Sequence, residues 1–397
     1  MQMKVSNINM CAKAMFLGTS LWLLSLLSAL QAFAQNRNMT IEKRIPAKGL
    51  AIMENGFELH PYEFTRHAVG DKDIEVKVLY AAICHSDLHE ATEDWYKGHF
   101  PFVPGHETIG KVVRVGKKVT RFKVGDYAGI GPTIQSCHEC QACKEGRDNY
   151  CEKMISSYNS VDYYHGGEIT QGGYSTVNVV DEDYAYVIPQ GTDIKRVAPL
   201  LCAGVTTWYP LHHLMSIRHG DKVAVAGFGG LGHLAVKYAI DLGAEVTVFD
   251  ITEDKRADAF RLGAKKYVNV NNAEELQGMD GMFDAVVSTI PSHYDLMMYL
   301  AMVKYGGSLC ILGAPATKDM PQISLTNLIW NGGKKVFASM DGSVSETQQC
   351  IDYSVAHGIY PDVEVIPAVA EVVSNAFHKV KEGKVKFRYV IDMTTMK

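Results

Sequence analysis

Between Cys84 and Cys151 the chain carries two sets of side chains able to bind soft metal ions. One is contiguous: Cys137-x-x-Cys140-x-x-Cys143, followed by Cys151. Short turns at this spacing wrap four thiolates around one zinc ion at about 2.3 Å each, in a closed tetrahedron. A closed site leaves no position for substrate, so its role is structural. Two disulfides or free thiols are the alternatives, and three cysteines at two-residue intervals suit them less well than a metal. The second set, Cys84, His106 and Cys202, is dispersed. A catalytic zinc keeps three protein ligands and leaves the fourth position for water or substrate. Singly, each has a plainer reading: a lone cysteine is usually a small buried hydrophobe, and a lone histidine a hydrogen-bonded residue without metal.

The residues around this set carry a resemblance. Gly105-His106-Glu107-x-x-Gly110, then Gly116 and Val124-Gly125-Asp126, resembles the zinc signature of medium-chain alcohol dehydrogenases. Cys84-His85-Ser86-Asp87-Leu88-His89 resembles their cinnamyl alcohol dehydrogenase branch, and the likeness runs from about Pro46 to the C-terminus. It implies two zinc ions per chain: a catalytic one on Cys84, His106 and Cys202, with Glu107 behind it as a transient ligand, and a structural one on the four clustered cysteines. Ser86 and His89 would form the proton relay, running through the cofactor ribose, and the relay's end must lie near solvent. Asp87 would orient His106 and fix its tautomer. His85 and Arg388 would face the cofactor pyrophosphate, and Thr206 would contact the cofactor. Plainer roles exist for each: a local turn bond for Ser86, a solvated loop for His89, a helix N-cap for Asp87, a buried ion pair for Glu107 and a surface charge for Arg388.

A nucleotide needs a different motif. Lys222 to Ala226 reads as a buried strand, Gly227-Phe228-Gly229-Gly230-Leu231-Gly232 follows, and His233 to Leu242 reads as an amphipathic helix with Leu234, Ala235, Tyr238 and Ala239 inward. The strand Glu245 to Phe249 then ends at Asp250, about twenty positions past the glycines. A lone G-x-G-x-x-G is weak, but strand, glycines, helix and acid together make a dinucleotide-binding unit. Asp250 can accept from both ribose hydroxyls and repels a 2′-phosphate, which favours NAD. In the cinnamyl branch a small hydroxyl residue usually stands there and favours NADP, whereas Asp250-x-x-x-x-Lys255 resembles NAD-using liver-type enzymes. Lys255 and Arg256 leave NADP tolerated.

The surrounding elements fall into two kinds. Ile45 to about Val197 is mostly short strands with Gly and Asp turns, among them Ile74 to Ala82, Gly110 to Val115, Tyr174 to Val180 and Ala185 to Ile188, which suggests an antiparallel, barrel-like unit; by resemblance it is GroES-like. After Pro199 strands alternate with helices: Asp254 to Leu262 helical, Tyr267 to Val270 and Phe283 to Ser288 extended, His293 to Lys304 helical, Ser308 to Leu312 extended. That predicts a parallel, doubly wound sheet of Rossmann type. The fold class is therefore α/β, with residues 40–197 and 342–397 as a discontinuous catalytic domain and 198–341 as the dinucleotide-binding domain. The helix Ser345 to His357 returns the chain to the first domain. At 397 residues two domains are expected.

A net charge of −5 offers no broad basic footprint, so nucleic acid is not an expected partner. Residues 1–34 read as a signal peptide: Lys4 and Lys13, an apolar run from Ala14 to Leu30, and Ala32-Phe33-Ala34 before a cut. This makes the protein exported or periplasmic, with a retained leader as its one link to a membrane; a start at Met39 would make it cytoplasmic. Export meets an oxidising compartment, and early zinc binding would protect the thiolates. Of the remaining cysteines, Cys310 and Cys350 read as buried structural thiols. The resemblance suggests a homodimer. The expected activity is interconversion of primary alcohols and aldehydes with NAD(P)(H). Ser156, where lignin-pathway relatives carry tryptophan, and Pro132 point to a wide pocket and broad-range aromatic and medium-chain substrates, with Trp95 as a candidate wall. Polyol or threonine oxidation on the same scaffold, or an exported zinc protein without activity, are the rival readings.

Overall fold

Two sheets of opposite character divide the chain in a computed structural model, which describes residues 44–330 and 332–397. The leader at residues 1–34 lies outside the described residues. Residues 47–64 and 69–397 form one unit. Residues 44–46 and 65–68 belong to another, in which Arg44 Nε donates to Thr65 Oγ1 at 2.6 Å.

The first sheet is built on β1 (Asp73–Ala82), β2 (Thr108–Val115), β3 (Tyr127–Ile130), β4 (Val177–Asp181) and β5 (Ala185–Val187). A helix, α1 (His85–Ala91), leaves the end of β1, and a second, α2 (Ala203–Tyr209), follows the sheet. The second sheet comprises β6 (Lys222–Ala226), β7 (Glu245–Asp250), β8 (Lys266–Asn269), β9 (Phe283–Ser288), β10 (Val303–Ile311) and β11 (Lys335–Ala338), with α3 (Gly232–Asp241) between β6 and β7. The chain closes with α4 (Val344–His357), β12 (Val363–Pro367), α5 (Ala370–Lys381) and β13 (Arg388–Asp392).

The strand order of the second sheet is β8-β7-β6-β9-β10-β11, and every pairing is parallel. The order reverses between β6 and β9, the topological switch point where open α/β sheets bind ligands. β6 is apolar on both faces because helices cover both, so its register places Val225 between Val248 and Val287, all fully buried. In the first sheet the order is β5-β3-β2-β1-β13-β12, with β4 also on β1. β13 comes from the far end of the chain yet pairs antiparallel with β1, Val390 opposite Ala82. The tail thus completes the first sheet and carries Arg388 to its place.

In one place an expected helix gives way to a strand. The helix expected to reach Lys304 stops at Met302, and β10 starts at Val303. Val303 pairs with Phe283, and Gly306 at φ +79° bends the new strand, so sheet pairing and a β-branched residue outweigh the helical pattern. One apolar core joins the two halves: Ala82, Ile109 and Val390 from the first sheet pack with Leu201, Val205 and Trp208 around α2, and with Val225 and Leu234. All seven residues of α2 are buried, so Cys202 at its N-cap has little freedom to move.

Candidate functional site

Cys84 stands at the N-cap of α1, where the apolar end of β1 turns into a helix. Asp87, three residues on, folds back so that its Oδ2 accepts from Cys84 N–H at 2.9 Å. The same oxygen accepts from Tyr174 Oη–H at 2.7 Å, while Oδ1 accepts from Gly105 N–H at 3.2 Å and lies 3.4 Å from His106 Nδ1. Asp87 is therefore both the N-cap partner and the orienter of His106, leaving the other imidazole nitrogen free for a metal. Gly105 makes the turn at φ +103°, and a Cβ there would meet the Tyr174 ring at 2.5 Å.

Cys84, His106, Glu107 and Cys202, far apart in sequence, place their ligand atoms within 4.8 Å of one another, all buried. Two sulfurs and an imidazole are the donor chemistry of a zinc site, and both thiols are free. A hydrogen bond from Cys202 holds the Cys84 thiol well below its usual range against the effect of burial, with His106 and Arg388 adding positive field. Cys202 is pushed well above its range in return. Burial opposes charge on His106, yet Asp87 and Cys84 keep its pKa well above normal. Glu107 accepts from Ala203 N–H at 3.2 Å and pairs with the Arg388 guanidinium; burial pushes its carboxyl up to about 7.

Arg388 is itself buried and leans on the glycine-rich loop, where a Cβ at Gly230 would come within 2.8 Å of its Cδ. Its Nε–H has no partner among the described residues, a buried donor of the kind an anion satisfies. Gly227 sits at φ +85°, and Gly232 opens α3 so close to the strand that a Cβ would lie 1.9 Å from Gly227 O. Gly229 and Leu231 complete the turn, with Gly229 O accepting from His233 N–H at 3.1 Å. Loop and helix N-terminus together present N–H groups at the switch point. Asp250 ends β7 as expected; its Oδ2 accepts from Phe228 N–H at 2.8 Å. Lys255 lies at the N-cap of the next helix, Arg256–Leu262, and Arg256 is spent on Glu253 and Glu275.

Ser86 and His89, the residues expected to form a relay, sit on α1. Ser86 Oγ is 3.7 Å from Cys84 Sγ. His89 does not lie in a solvated loop: it is only 2 % exposed, stacked on Trp95 at 4.6 Å, with Nδ1 held by Asp94 Oδ2 at 2.8 Å and Nε2 buried without a partner among the described residues. The Asp94 side chain is 13 % exposed, more open to solvent than the histidine it holds. The helix turned His89 inward because Leu88, Ala91 and His89 share its covered side. His85 lies 5.1 Å from the His89 ring, its pKa lowered to about 4 by burial. Thr206, one turn past Cys202, donates from Oγ1 to Asp341 Oδ1 at 3.3 Å. Trp95 donates to Pro315 O at 3.1 Å, linking the two halves.

The four clustered cysteines gather within the same 4.8 Å limit, with sulfurs 3.5 Å apart for Cys151–Cys137 and 3.9 Å for Cys137–Cys143. Those spacings exceed a disulfide bond, and all four thiols are free. Backbone N–H groups of Cys140 and Cys143 point at the sulfurs of Cys137 and Cys140, at 3.3 and 3.5 Å. Such bonds favour thiolates, and Cys137 is lowered to about 6, chiefly by the Glu139 and Cys140 amides.

Three features escaped the sequence reading: Asp94, Asp341 and His233. The last is buried, with Nδ1 against Gly229 O at 3.1 Å and Nε2 accepting from Asp362 N–H at 3.3 Å. Only Asp94 left a signal, a carboxylate five residues past a candidate relay histidine.

Comparison with known proteins places this arrangement. Residues 70–190 match the alcohol dehydrogenase GroES-like domain, and residues 230–355 match the zinc-binding dehydrogenase family. The mannitol dehydrogenase of Apium graveolens is 38 % identical over 359 residues, 90 % of this chain and 96 % of that one. The chain belongs to the zinc-dependent medium-chain alcohol dehydrogenases, on their cinnamyl alcohol dehydrogenase branch. Cinnamyl alcohol dehydrogenase 8 of Arabidopsis thaliana is 38 % identical, over 87 % of this dehydrogenase and 95 % of the relative. The crystal structure of CAD from Helicobacter pylori, complexed with NADP(H), superposes with a TM-score of 0.85 at 42 % identity, covering 88 % of this dehydrogenase and 99 % of that chain.

Proposed function

We propose that this dehydrogenase interconverts primary alcohols and aldehydes, aromatic and medium-chain, by hydride transfer with NAD(P)(H). One observation carries the reading: two thiols and an imidazole converge beside a glycine-rich loop at a sheet's switch point. Cys84, His106 and Cys202 would hold a catalytic zinc, with Glu107 and its Arg388 partner behind it, and the four clustered cysteines a second, structural zinc. When bound, the catalytic zinc supplies a Lewis acid that lowers the pKa of an alcohol hydroxyl and polarises an aldehyde carbonyl. Asp87 holds His106 in the tautomer that a metal needs. Ser86 Oγ would accept the substrate proton as it passes its own hydroxyl proton onward, and His89, fixed at Nδ1 by Asp94, would take up the relayed proton at Nε2, which has no partner among the described residues. His85, Arg388 and the loop from Gly227 to Gly232 bind the pyrophosphate.

Asp250 favours NAD, and the commitment of Arg256 to two glutamates leaves Lys255 alone to attract a 2′-phosphate. A higher kcat/KM with NADH than with NADPH is the expected outcome. Incubation of the zinc-loaded protein with NADH or NADPH and a panel including benzaldehyde and cinnamaldehyde tests the main reading, and no turnover of any aldehyde rejects it. The resemblance to a mannitol dehydrogenase favours polyol oxidation as a second reading, which an assay with mannitol and sorbitol separates. We infer a homodimer, supported by the edge strand β11 and the exposed Leu325, Ile329 and Trp330 nearby; light scattering of the purified protein checks it. Export rests on the leader alone, and N-terminal sequencing of the natural protein decides between export and a start at Met39.

A further inference from the structure

Three carboxylates, Asp87, Glu107 and Asp341, surround the Cys84–His106–Cys202 group, and they differ in how many acceptors remain open. Both oxygens of Asp87 are taken, by Cys84 N–H and Tyr174 Oη–H on one and by Gly105 N–H and His106 on the other. Both oxygens of Glu107 are taken as well, by Ala203 N–H and Arg388, and neither residue is exposed at all. Asp341 is different. Its Oδ1 accepts from Cys202 Sγ–H at 3.4 Å and Thr206 Oγ1–H at 3.3 Å, and no hydrogen bond among the described residues reaches Oδ2. It is also less completely buried than Asp87 and Glu107.

The loop that presents this carboxylate is fixed from several directions. Asp341 adopts φ +46°, uncommon for a residue with a side chain and a mark of a conformation held by its surroundings. A Cβ on Gly342 would come within 2.2 Å of Val205 Cγ2, so the loop lies hard against α2. Asn149 Nδ2 holds Met340 O at 2.9 Å, and Asp148 accepts from Val344 N–H at 3.2 Å, both from the end of the four-cysteine lobe. Ser343 and Glu346 then cap α4.

We propose that Asp341 is a specificity-determining residue, whose free Oδ2 selects alcohols bearing a second hydroxyl on the carbon next to the reacting one. A vicinal hydroxyl donates to this acceptor. An alcohol without one covers the acceptor and leaves it unpaired, which sites built around a hydroxyl penalise steeply. The proposal rests on the alcohol–aldehyde activity proposed above and ranks substrates within it: alcohols with a vicinal hydroxyl ahead of those, benzyl and cinnamyl alcohols among them, that lack one.

The test compares 1,2-propanediol with 1-propanol, oxidised with NAD⁺ by the zinc-loaded protein and by its Asp341→Gly and Asp341→Asn variants. Glycine tolerates the backbone conformation while removing the carboxylate; asparagine keeps the shape and one acceptor. The expected result is a wild-type kcat/KM roughly tenfold or more in favour of the diol. That preference falls about tenfold in Asp341→Gly, mainly through KM for the diol, and by less in Asp341→Asn. A ratio unchanged within twofold in Asp341→Gly overturns the proposal, as does an equal loss for both alcohols, which marks a purely structural role. Reduction of benzaldehyde by a wild-type protein that shows no diol preference rejects the role of Asp341 alone; no activity on any alcohol or aldehyde rejects the activity beneath it.

Discussion

The two cysteine-bearing sites differ in how they are assembled. The lobe at Cys137–Cys151 draws every sulfur from one short stretch, and backbone amides of that stretch point at its sulfurs. The site at Cys84, His106 and Cys202 takes one residue from the N-cap of α1, one from the turn before β2 and one from the N-cap of α2. Its support is long-range as well: Tyr174 reaches Asp87, and Arg388 arrives from β13. A local site is robust to changes elsewhere in the fold, whereas a dispersed one depends on the packing of the whole molecule.

The largest effect expected from this contrast is at Cys202. Cys202→Ser removes a soft ligand that the neighbouring carboxylates, Glu107 and Asp341, replace only with hard oxygen donors, so kcat/KM for aldehyde reduction falls at least about 10³-fold. Zinc per chain falls by one while circular dichroism stays unchanged, because α2 is held by its apolar burial. A variant with full activity would dissolve the distinction between the two sites.

Second comes Arg388→Met, which strands Glu107 as a buried, unpaired carboxylate. Breaking a buried pair from one side costs about 3–5 kcal/mol. Denaturant unfolding should show a loss of that order, and NADH titration a weaker Kd, since the same guanidinium faces the glycine-rich loop. Third, Cys143→Ser in the lobe should lower Tm by at least about 5 °C through lost metal-linked folding. Activity per folded molecule at low temperature should hold within about tenfold, which sharpens the contrast with Cys202→Ser.

The same difference explains what the sequence made legible. The four clustered cysteines are a local pattern, so spacing alone announced them, and the strand–glycine–helix–acid run from Lys222 to Asp250 is local too. Cys84, His106 and Cys202 needed the resemblance, because nothing in the chain between them says that they meet. Asp94 and Asp341 stayed hidden for a related reason. An aspartate in a loop is ordinarily a turn residue, and only the fold puts one against His89 and the other against Cys202. The burial of His89 was misjudged because α1 is short and its covered side is set by what packs on it, not by its own periodicity. Met302, where an expected helix gave way to β10, shows tertiary pairing overriding local preference.

The smallest effect concerns the relay, where distant packing meets a local pair. Burial lowers the pKa of His89, Asp94 raises it, and the net position is below the ordinary histidine value. Lys381 and His85 also face this pair. In alcohol oxidation His89 must be neutral to take a proton, so the acidic limb of the kcat profile falls below the usual histidine range. Asp94→Asn removes the group that favours the charged form while leaving burial in place. The His89 pKa then drops further, and the acidic limb should shift to lower pH, with a modest fall in kcat as the ring loses its anchor. A limb that moves to higher pH, or not at all, would mean that Asp94 does not set the protonation of His89 and that the proton leaves by another path.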